Sequence, residues 1–299
     1  MHYGFDIGGT KIEIVAFDDD YQEVFKKRLP TPGNDYAKFL STLAELVETA
    51  DEVCGCDSYV GIGMPGVIDI HTGKLLSSNI PAASGQNIAA DLSQRLNRNT
   101  ELENDCKCFA YSEANGGSGD GFSSVFGAVL GTGVGGGLCF NGQLVKGRNG
   151  IAGEWGHSPL PAMFVEKYGL PIRDCGCGHK GCIERYISGR GLAFLHRFFD
   201  GEDVSTKEVI DRMRGGDDIA KQAFSAFIDI LACSLANVIH TYDPDVIVIG
   251  GGLSKVPELY TQVKECLSEH LLSAVIMPDI VPPKFGDSSG VRGAAMLAS

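Results

Sequence analysis

A strand pattern, a glycine-rich turn and a second strand pattern occur twice in this sequence, and this repeat constrains the fold most. The first copy spans residues 3–17 around Gly8-Gly9-Thr10-Lys11, and the second spans residues 124–140 around Gly131-Thr132-Gly133. Two apolar runs joined by a short glycine turn are typical of a hairpin. Each copy opens a stretch of mixed strand and helix patterns, so the sequence predicts a duplicated α/β fold with a cleft between its two halves.

A third glycine cluster, Gly250-Gly251-Gly252, directly follows the continuous apolar run at 246–249. Such a run is typical of a central strand that is covered on both faces. Because glycine lets backbone N–H groups approach phosphate oxygens, three glycine-rich turns after strands indicate a nucleotide site. Three unrelated tight turns are the alternative interpretation. The candidate phosphate-binding residues are Asp6, Gly8, Gly9, Thr10, Lys11, Gly131, Thr132, Gly133, Gly250, Gly251 and Gly252.

The length and the charge balance exclude several classes of protein. A chain of 299 residues suits two domains of about 150 residues each. The formal net charge is −13, which argues against a protein that binds the phosphate backbone of nucleic acids. The 40 glycines are roughly double the usual ~7% of a globular protein, which fits close backbone approach to a ligand.

The sequence predicts a cytoplasmic protein without a membrane partner. Asp6 interrupts the first apolar stretch and no basic segment precedes it, unlike a secretory signal. Residues 121–145 carry no charged side chain, but their eight glycines and several polar residues do not suit a membrane span. Ten cysteines in a chain of this size do not indicate a disulfide scaffold, so we expect reduced thiols.

Three cysteines within eight residues indicate a metal centre. Cys175, Cys177 and Cys182 follow His157, and one histidine with three cysteines is a standard tetrahedral ligand set for structural Zn²⁺. His179 is a rival for the fourth ligand position, although it lies inside the short loop between the cysteines. A disulfide or free thiols are the alternative interpretations of this segment.

A carboxylate follows the strand pattern at 101–104, and a helix pattern follows at 106–113. At this junction Asp105, next to Asn104, could take a proton from a substrate hydroxyl as a general base. The alternative is that Asp105 only caps the helix. Ser78-Asn79, Glu154 and Glu184 have similar structural alternatives, so none of them is convincing by itself.

Three segments together resemble the ROK family of sugar kinases and repressors, and the similarity runs essentially end to end. They are Asp6-Ile-Gly-Gly-Thr-Lys11, Glu154-Trp-Gly-His157 and Cys175-Gly-Cys-Gly-His-Lys-Gly-Cys-Ile-Glu184. The resemblance implies the actin-like ATPase (ribonuclease H-like) fold, with two α/β domains around a cleft. By analogy, the small domain comprises residues 1–117 and 286–299, and the large domain comprises residues 118–285 with the zinc-binding segment.

The resemblance also implies an activity and a role for each candidate residue. The activity is transfer of a phosphoryl group from ATP to the 6-hydroxyl of N-acetyl-D-glucosamine, with Mg²⁺ as cofactor and Zn²⁺ as a structural ion. Asp105 would be the base and Asp6 would help to hold Mg²⁺, the first two glycine turns would bind phosphates, and Gly250, Gly251 and Gly252 would lie near the adenosine. The implied sugar ligands are Ser78, Asn79, Asn104, Asp105, Glu154, His157 and Glu184, and the implied zinc ligands are His157, Cys175, Cys177 and Cys182. We expect a homodimer.

The choice of sugar depends on the segment after Asn79. Ala82-Ala83-Ser84-Gly85 are small residues that would leave room for a 2-acetamido group. A kinase for glucose or N-acetylmannosamine is the alternative, since a pocket discriminates an added group only modestly. A non-catalytic sugar-sensing regulator is a further alternative. Because the first strand pattern begins at Tyr3, we do not expect the N-terminal DNA-binding segment that such regulators carry.

One segment departs from the family pattern. After Asn104-Asp105 the family usually continues with alanine and then asparagine or alanine, whereas this chain has Cys106-Lys107-Cys108. Cys106 is a small apolar substitute for alanine. Helical spacing predicts that Lys107 points to solvent and has little effect on Asp105.

Overall fold

The computed structural model describes residues 1–77 and 79–297 of the chain, which form two compact units. The first unit comprises Met1–Ser123, Gly137–Gly153 and the chain from Lys284 onward; the second comprises Ser124–Gly136 and Glu154–Pro283. Residues 118–123, 137–153 and 284–285 therefore group with the first unit, whereas the sequence-based division assigned them to the large domain. The backbone at Gly137 lies directly against Lys107 and Ala110, which explains why its segment belongs to the first unit.

The first unit is built on a five-stranded sheet with the order β3-β2-β1-β4-β7. The strands are β1 (His2–Ile7), β2 (Lys11–Phe17), β3 (Glu23–Pro30), β4 (Val60–Met64) and β7 (Thr100–Asn104), and a separate hairpin contains β5 (Val67–Ile68) and β6 (Leu75–Leu76). β1 and β3 run antiparallel to β2, whereas β4 is parallel to β1 and to β7. The hairpin predicted around Gly8-Gly9-Thr10-Lys11 is confirmed.

A second five-stranded sheet has the order β10-β9-β8-β11-β12. Its strands are β8 (Ser124–Leu130), β9 (Val134–Phe140), β10 (Gln143–Leu144), β11 (Val246–Gly250) and β12 (Asp279–Val281). β11 lies parallel to β8 on one side and to β12 on the other, and is completely buried as its apolar run predicts. Both sheets place three strands that are consecutive in the chain on one side and two later parallel strands on the other. The predicted duplication is confirmed.

Helices connect and cover the strands. They are α1 (Tyr36–Cys54), α2 (Ile88–Leu96), α3 (Asp105–Ala114), α4 (Ala162–Tyr168), α5 (Glu184–Ile187), α6 (Gly189–Asp200), α7 (Thr206–Arg214), α8 (Asp218–Tyr242), α9 (Pro257–Leu267) and α10 (Ser289–Leu297). Several begin with a side chain that accepts a hydrogen bond from the first turn; Asp35 does so for α1 and Ser188 for α6.

Alternation along β1 decides what each face of the first sheet contacts. Tyr3, Phe5 and Ile7 enter a hydrophobic core that includes residues of α1, while Gly4 between them faces α10. A Cβ at Gly4 would lie 2.2 Å from the Val291 carbonyl oxygen. Only glycine therefore allows α10 to approach the sheet so closely, and the sheet is covered by helices on both faces.

Helix α8 is long and apolar enough to cross a membrane by length and composition alone. However, 78% of its most apolar window is buried inside the protein, and Phe227, Leu231 and Leu235 are completely or almost completely inaccessible. A buried core helix passes the same test as a membrane span. We therefore interpret α8 as the central core helix of the second unit.

Candidate active site and metal centre

The turn between β1 and β2 is fixed by hydrogen bonds within itself and to Thr31, while its tip is exposed. The Gly8 amide donates to the Lys11 carbonyl at 2.8 Å, and the Thr31 hydroxyl donates to the Gly8 carbonyl at 2.7 Å. The Thr31 amide also donates to the Thr10 carbonyl at 3.1 Å, whereas Gly9, Thr10 and Lys11 are exposed. A rigid turn with exposed backbone, a hydroxyl and an ammonium group suits the binding of phosphate oxygens.

Asn79 lies against this turn. A Cβ at Gly9 would be 2.8 Å from the Asn79 carbonyl oxygen, so the contact requires glycine at this position. The Asn79 side chain is exposed. The first unit thus brings a predicted sugar ligand next to the predicted phosphate turn. Ser78, the neighbouring predicted sugar ligand, lies outside the described residues.

Asp6 at the end of β1 is a perturbed carboxylate. Burial and the nearby negative charge of Asp105 raise the pKa of Asp6 to about 6, while Lys11 opposes this change. Two carboxylates that repel each other beside this exposed turn are suited to a hard divalent cation, whose charge would favour both ionised forms. The residues present therefore fit a Mg²⁺ site in which Asp6 takes part.

We predict that Asp6→Asn stabilises the ligand-free protein above pH 6. Because folding raises the pKa of Asp6, the folded state binds more protons than the unfolded state between about pH 4 and pH 6, and stability falls as the pH rises through this window. Replacing the ionised Asp6 carboxylate by a neutral amide is therefore expected to raise the free energy of unfolding by about 2–3 kcal/mol at pH 8. Denaturant unfolding without added Mg²⁺ or nucleotide, at pH 8 and pH 4.5, measures the difference in the free energy of unfolding, which should shrink at the lower pH.

The control for this experiment is Asp57→Asn. Asp57 is exposed, so this substitution removes one negative charge from the surface and not from a shielded position. Equal or lower stability of Asp6→Asn at pH 8 would contradict the conclusion that the ionised, partly buried Asp6 carboxylate destabilises the folded state.

Asn104 and Asp105 occupy the junction at which β7 passes directly into α3. The Asn104 side-chain oxygen accepts from the amides of Cys106 at 2.9 Å and Lys107 at 3.2 Å, and its Nδ2 donates to the Gly66 carbonyl at 3.1 Å. Asn104 is therefore the residue that caps α3, a role that the sequence left open for Asp105. The Asp105 carboxylate accepts from the Cys106 amide at 2.9 Å and remains partly exposed. This geometry leaves an oriented carboxylate able to accept a proton.

The prediction that Lys107 points to solvent is wrong. Its side chain is only 1% exposed, and its ammonium group lies 3.3 Å from a Glu103 carboxylate oxygen and donates to the Gly150 carbonyl at 2.5 Å. Helical spacing alone missed this because Gly150 is 43 residues away in the chain. The spacing of Glu103 and Lys107 gave no signal either, because Glu103 lies on β7 and the i,i+4 rule applies only within a helix.

In the second unit, two of the glycine-rich turns lie in contact. The Gly131 amide donates to the Gly133 carbonyl at 3.0 Å, which closes the turn between β8 and β9. A Cβ at Gly251, where φ is +79°, would lie 2.5 Å from the Leu130 carbonyl oxygen. The Gly189 amide at the start of α6 donates to the Gly131 carbonyl at 2.8 Å. The second unit thus gathers Gly131-Thr132-Gly133, Gly250-Gly251-Gly252 and the start of α6 at one place.

His157, Cys175, Cys177 and Cys182 present ligand atoms that all lie within 4.8 Å of one another. The Cys177 and Cys182 Sγ atoms are 3.6 Å apart, and Cys175 Sγ is 3.7 Å from His157 Nδ1. A tetrahedral zinc ion with metal–ligand bonds of about 2.0–2.3 Å places its ligands about 3.5–3.8 Å apart. These side chains fit a tetrahedral metal centre.

The rival ligand His179 lies 3.7 Å from Cys177 Sγ through its Nδ1, but the mutually close set of four contains His157 instead. Hydrogen bonds from the His179 backbone and from neighbouring side chains lower the pKa of Cys177 to about 6. The Cys177 thiolate is the form that binds a metal ion.

Two carboxylates connect this cluster with its surroundings. His157 Nε2 lies 3.6 Å from a Glu154 oxygen, so the two nitrogens of the His157 ring face Glu154 and Cys175 respectively. Glu184 accepts from Cys175 Sγ at 3.0 Å and from the Val134 amide at 3.4 Å, next to the turn at 131–133. Of the predicted sugar ligands, His157 therefore belongs to the candidate metal centre, and Glu154 and Glu184 contact it.

Trp155 is a supporting residue that the sequence analysis did not single out. Its indole Nε1 donates to the Gly135 carbonyl at 2.8 Å, and its ring packs edge-on against Phe126. Next to it, a Cβ at Gly156 would lie 2.2 Å from the Val134 carbonyl oxygen. These contacts hold the segment of Glu154 and His157 against the start of β9.

A second cluster of potential ligands contains Asp229, Cys266 and His270. Asp229 already accepts from Lys167 Nζ at 2.6 Å and Tyr168 Oη at 2.7 Å, and its other oxygen lies 3.1 Å from His270 Nε2. Because the Lys167 ammonium neutralises the carboxylate, we interpret this cluster as a hydrogen-bonded network between helices.

Comparison with known proteins agrees with these arrangements. The model of the ROK family matches residues 2–299. The chain belongs to the ROK family. N-acetyl-D-glucosamine kinase of Shigella flexneri serotype 5b (strain 8401) is 46% identical over 299 residues, which are 99% of each chain. N-acetyl-D-glucosamine kinase of Escherichia coli O127:H6 (strain E2348/69 / EPEC) has the same identity and coverage.

Among solved structures, the ROK hexokinase of Thermus thermophilus is 30% identical with a TM-score of 0.88, and the match covers 99% of this chain and 97% of the hexokinase. The similarity to ROK sugar kinases, together with two five-stranded sheets of matching strand order, establishes the actin-like ATPase fold predicted from the sequence.

Proposed function

We propose that this ROK protein transfers the γ-phosphoryl group of ATP to the 6-hydroxyl of N-acetyl-D-glucosamine, giving N-acetylglucosamine 6-phosphate and ADP. The observation that carries the proposal is the 46% identity to N-acetyl-D-glucosamine kinases over 99% of both chains. The candidate base Asp105 and the phosphate turns described above supply the parts that phosphoryl transfer needs.

In this mechanism Asp105 accepts the proton of the sugar hydroxyl, with its carboxylate oriented by the Cys106 amide. Asp6 takes part in holding Mg²⁺, which when bound neutralises charge on the transferred phosphoryl group. The backbone and side chains of Gly8, Gly9, Thr10 and Lys11, together with Gly131, Thr132 and Gly133, bind phosphate oxygens. Gly250, Gly251 and Gly252 lie near the adenosine. Alignment and charge neutralisation are sufficient, because phosphoryl transfer needs little covalent chemistry from the protein.

The proposed sugar ligands are hydrogen-bonding side chains at several positions. They are Asn79, Asn104, Asp105, Glu154, His157 and Glu184, with Ser78 outside the described residues. Contacts of Asn79 with Gly9 and of Glu184 with Val134 support the proposal, since both sugar ligands neighbour a phosphate turn. Asn104 already uses Oδ1 and Nδ2 for capping and for Gly66, so it offers the sugar its remaining Nδ2 hydrogen.

We propose that His157, Cys175, Cys177 and Cys182 bind a structural Zn²⁺ ion. With four protein ligands the ion has no open position, so it would shape the sugar site and not activate water. Glu154 beside His157 Nε2 matches the carboxylate that accepts the second N–H of a zinc-bound histidine in other proteins. A cytoplasmic location suits reduced cysteines. A homodimer remains a further proposal, which light scattering coupled to size exclusion would test.

The test is ADP release with Mg-ATP across N-acetylglucosamine, N-acetylmannosamine, glucose and fructose. We expect the highest kcat/KM for N-acetylglucosamine, by about tenfold or more. A higher value for glucose or N-acetylmannosamine would leave the kinase mechanism intact but contradict the argument from the small residues at 82–85. Binding of a sugar without turnover would indicate a sugar sensor and contradict the kinase proposal.

A further inference from the structure

The elbow formed by residues 103–107 carries a buried ion pair that the proposed mechanism does not use. Glu103 is 4% and Lys107 1% exposed, and their charged groups are 3.3 Å apart. Oppositely charged side chains are rarely buried so completely unless each has a partner. The two residues flank Asn104 and Asp105, so the pair spans the point at which β7 becomes α3.

Both members of the pair make further bonds to the backbone of this region. The Glu103 Oε1 atom also accepts from the Asn104 amide at 2.9 Å. The Lys107 ammonium also donates to the Gly150 carbonyl at 2.5 Å, and its own amide donates to Asn104 Oδ1 at 3.2 Å. Side chains thus form hydrogen bonds within the elbow, and the Lys107 ammonium bonds it to the segment around Gly150.

Neighbouring backbone restricts the elbow further. A Cβ at Gly137 would lie 3.0 Å from the Lys107 Cα, and a Cβ at Gly150 would lie 2.7 Å from the Ile68 carbonyl oxygen. Gly150 has a φ of +71°, a conformation that favours glycine. The acceptor of the Lys107 ammonium therefore lies on a backbone that is itself held in place.

We propose that Glu103 and Lys107 form a clamp whose function is to position the Asp105 carboxylate for proton transfer. This inference rests on the proposed kinase function and deepens it. Lys107 and Glu103 act through the elbow and do not touch the sugar, so they are positioning residues. A displacement of about 1 Å at a reacting group can lower a rate about 100-fold, which is the order of effect that such a clamp can control.

The test compares three variants. Lys107→Met removes the ammonium but leaves Glu103 buried without its main partner, so its Tm should fall. Glu103→Gln/Lys107→Met removes both charges and should recover most of that loss, since an apolar or neutral pair avoids a buried unpaired charge. Lys146→Met is the matched control: Lys146 lies 3.9 Å from the same Glu103 carboxylate but is 55% exposed.

We expect kcat to fall about 10- to 100-fold in Lys107→Met and in the double variant, with KM for the sugar and for ATP within about threefold of the wild type. Lys146→Met should keep the kcat of the wild type. Wild-type kcat in a stably folded double variant would overturn the proposal, because the pair would then serve stability alone.

Hydrogen exchange separates this proposal from the proposed function. In the clamp variants the amides of Cys106 and Lys107 should exchange faster than in the wild type and in Lys146→Met. If the wild type phosphorylates none of the sugars, the proposed function fails, and exchange alone decides the clamp. Unchanged exchange in both clamp variants would overturn the clamp even in an active kinase.

Discussion

Asp105→Asn is expected to lower kcat about 10²- to 10⁴-fold, the range that a general base contributes. Asparagine has nearly the same shape, and its oxygen can still accept from the Cys106 amide, but it cannot take up the proton of the sugar hydroxyl. Because Asn104 caps α3, the substitution leaves the helix start intact. A coupled assay of ADP release measures the loss.

Sugar binding by Asp105→Asn should remain within about tenfold of the wild type, because the amide keeps one hydrogen-bond acceptor. Trp155 is the single tryptophan of the chain and follows Glu154 directly, so its fluorescence reports binding in this segment. Glu101→Gln, on β7 just before the elbow, controls for the loss of a carboxylate in this region. A kcat within threefold of the wild type would remove Asp105 from the role of base.

Cys177→Ser is expected to reduce bound zinc from about one equivalent to nearly none under competition with a chelator, and to lower Tm. A structural zinc ion contributes its binding free energy to folding, about 10–16 kcal/mol in zinc-finger peptides, so the loss of one of four ligands has a large effect. The Cys177 side chain is exposed, and serine therefore removes a ligand without leaving a cavity. Elemental analysis and thermal unfolding measure the two results.

Cys177→Ser should also raise KM for the sugar more than KM for ATP, because the proposed sugar ligand His157 belongs to the cluster and Glu184 contacts it. Cys56→Ser is the matched control, since Cys56 is exposed and lies outside the cluster. Unchanged zinc content in Cys177→Ser would show that Cys177 is not a ligand, and His179 would then have to be reconsidered as well.

The repeated hairpin allowed most of the fold to be predicted from the sequence. Alternating or continuous apolar runs and glycine turns are local signals, and they correctly marked β1, β2, β8, β9 and β11. The cluster of His157 with three cysteines was also predictable, because one histidine and three closely spaced cysteines are a standard ligand set for a structural metal ion.

Contacts between residues that are far apart in the sequence could not be predicted from such local signals. The segment at 137–153 groups with the first unit because Gly137 contacts α3, and no local pattern encodes that contact. Trp155 was passed over for the same reason: its indole partner, the Gly135 carbonyl, lies 20 residues earlier.

The sequence by itself determined the strands, the glycine turns, the candidate ligands and the family to which they belong, since each depends on residue type and short spacing. Only the tertiary structure decided what those residues contact. Lys107 illustrates the difference: helical periodicity sends it to solvent, yet a buried carboxylate on β7 and a carbonyl 43 residues away turn it inward. A buried charge is tolerable only where folding brings its partners to it, and that pairing is not written in local sequence.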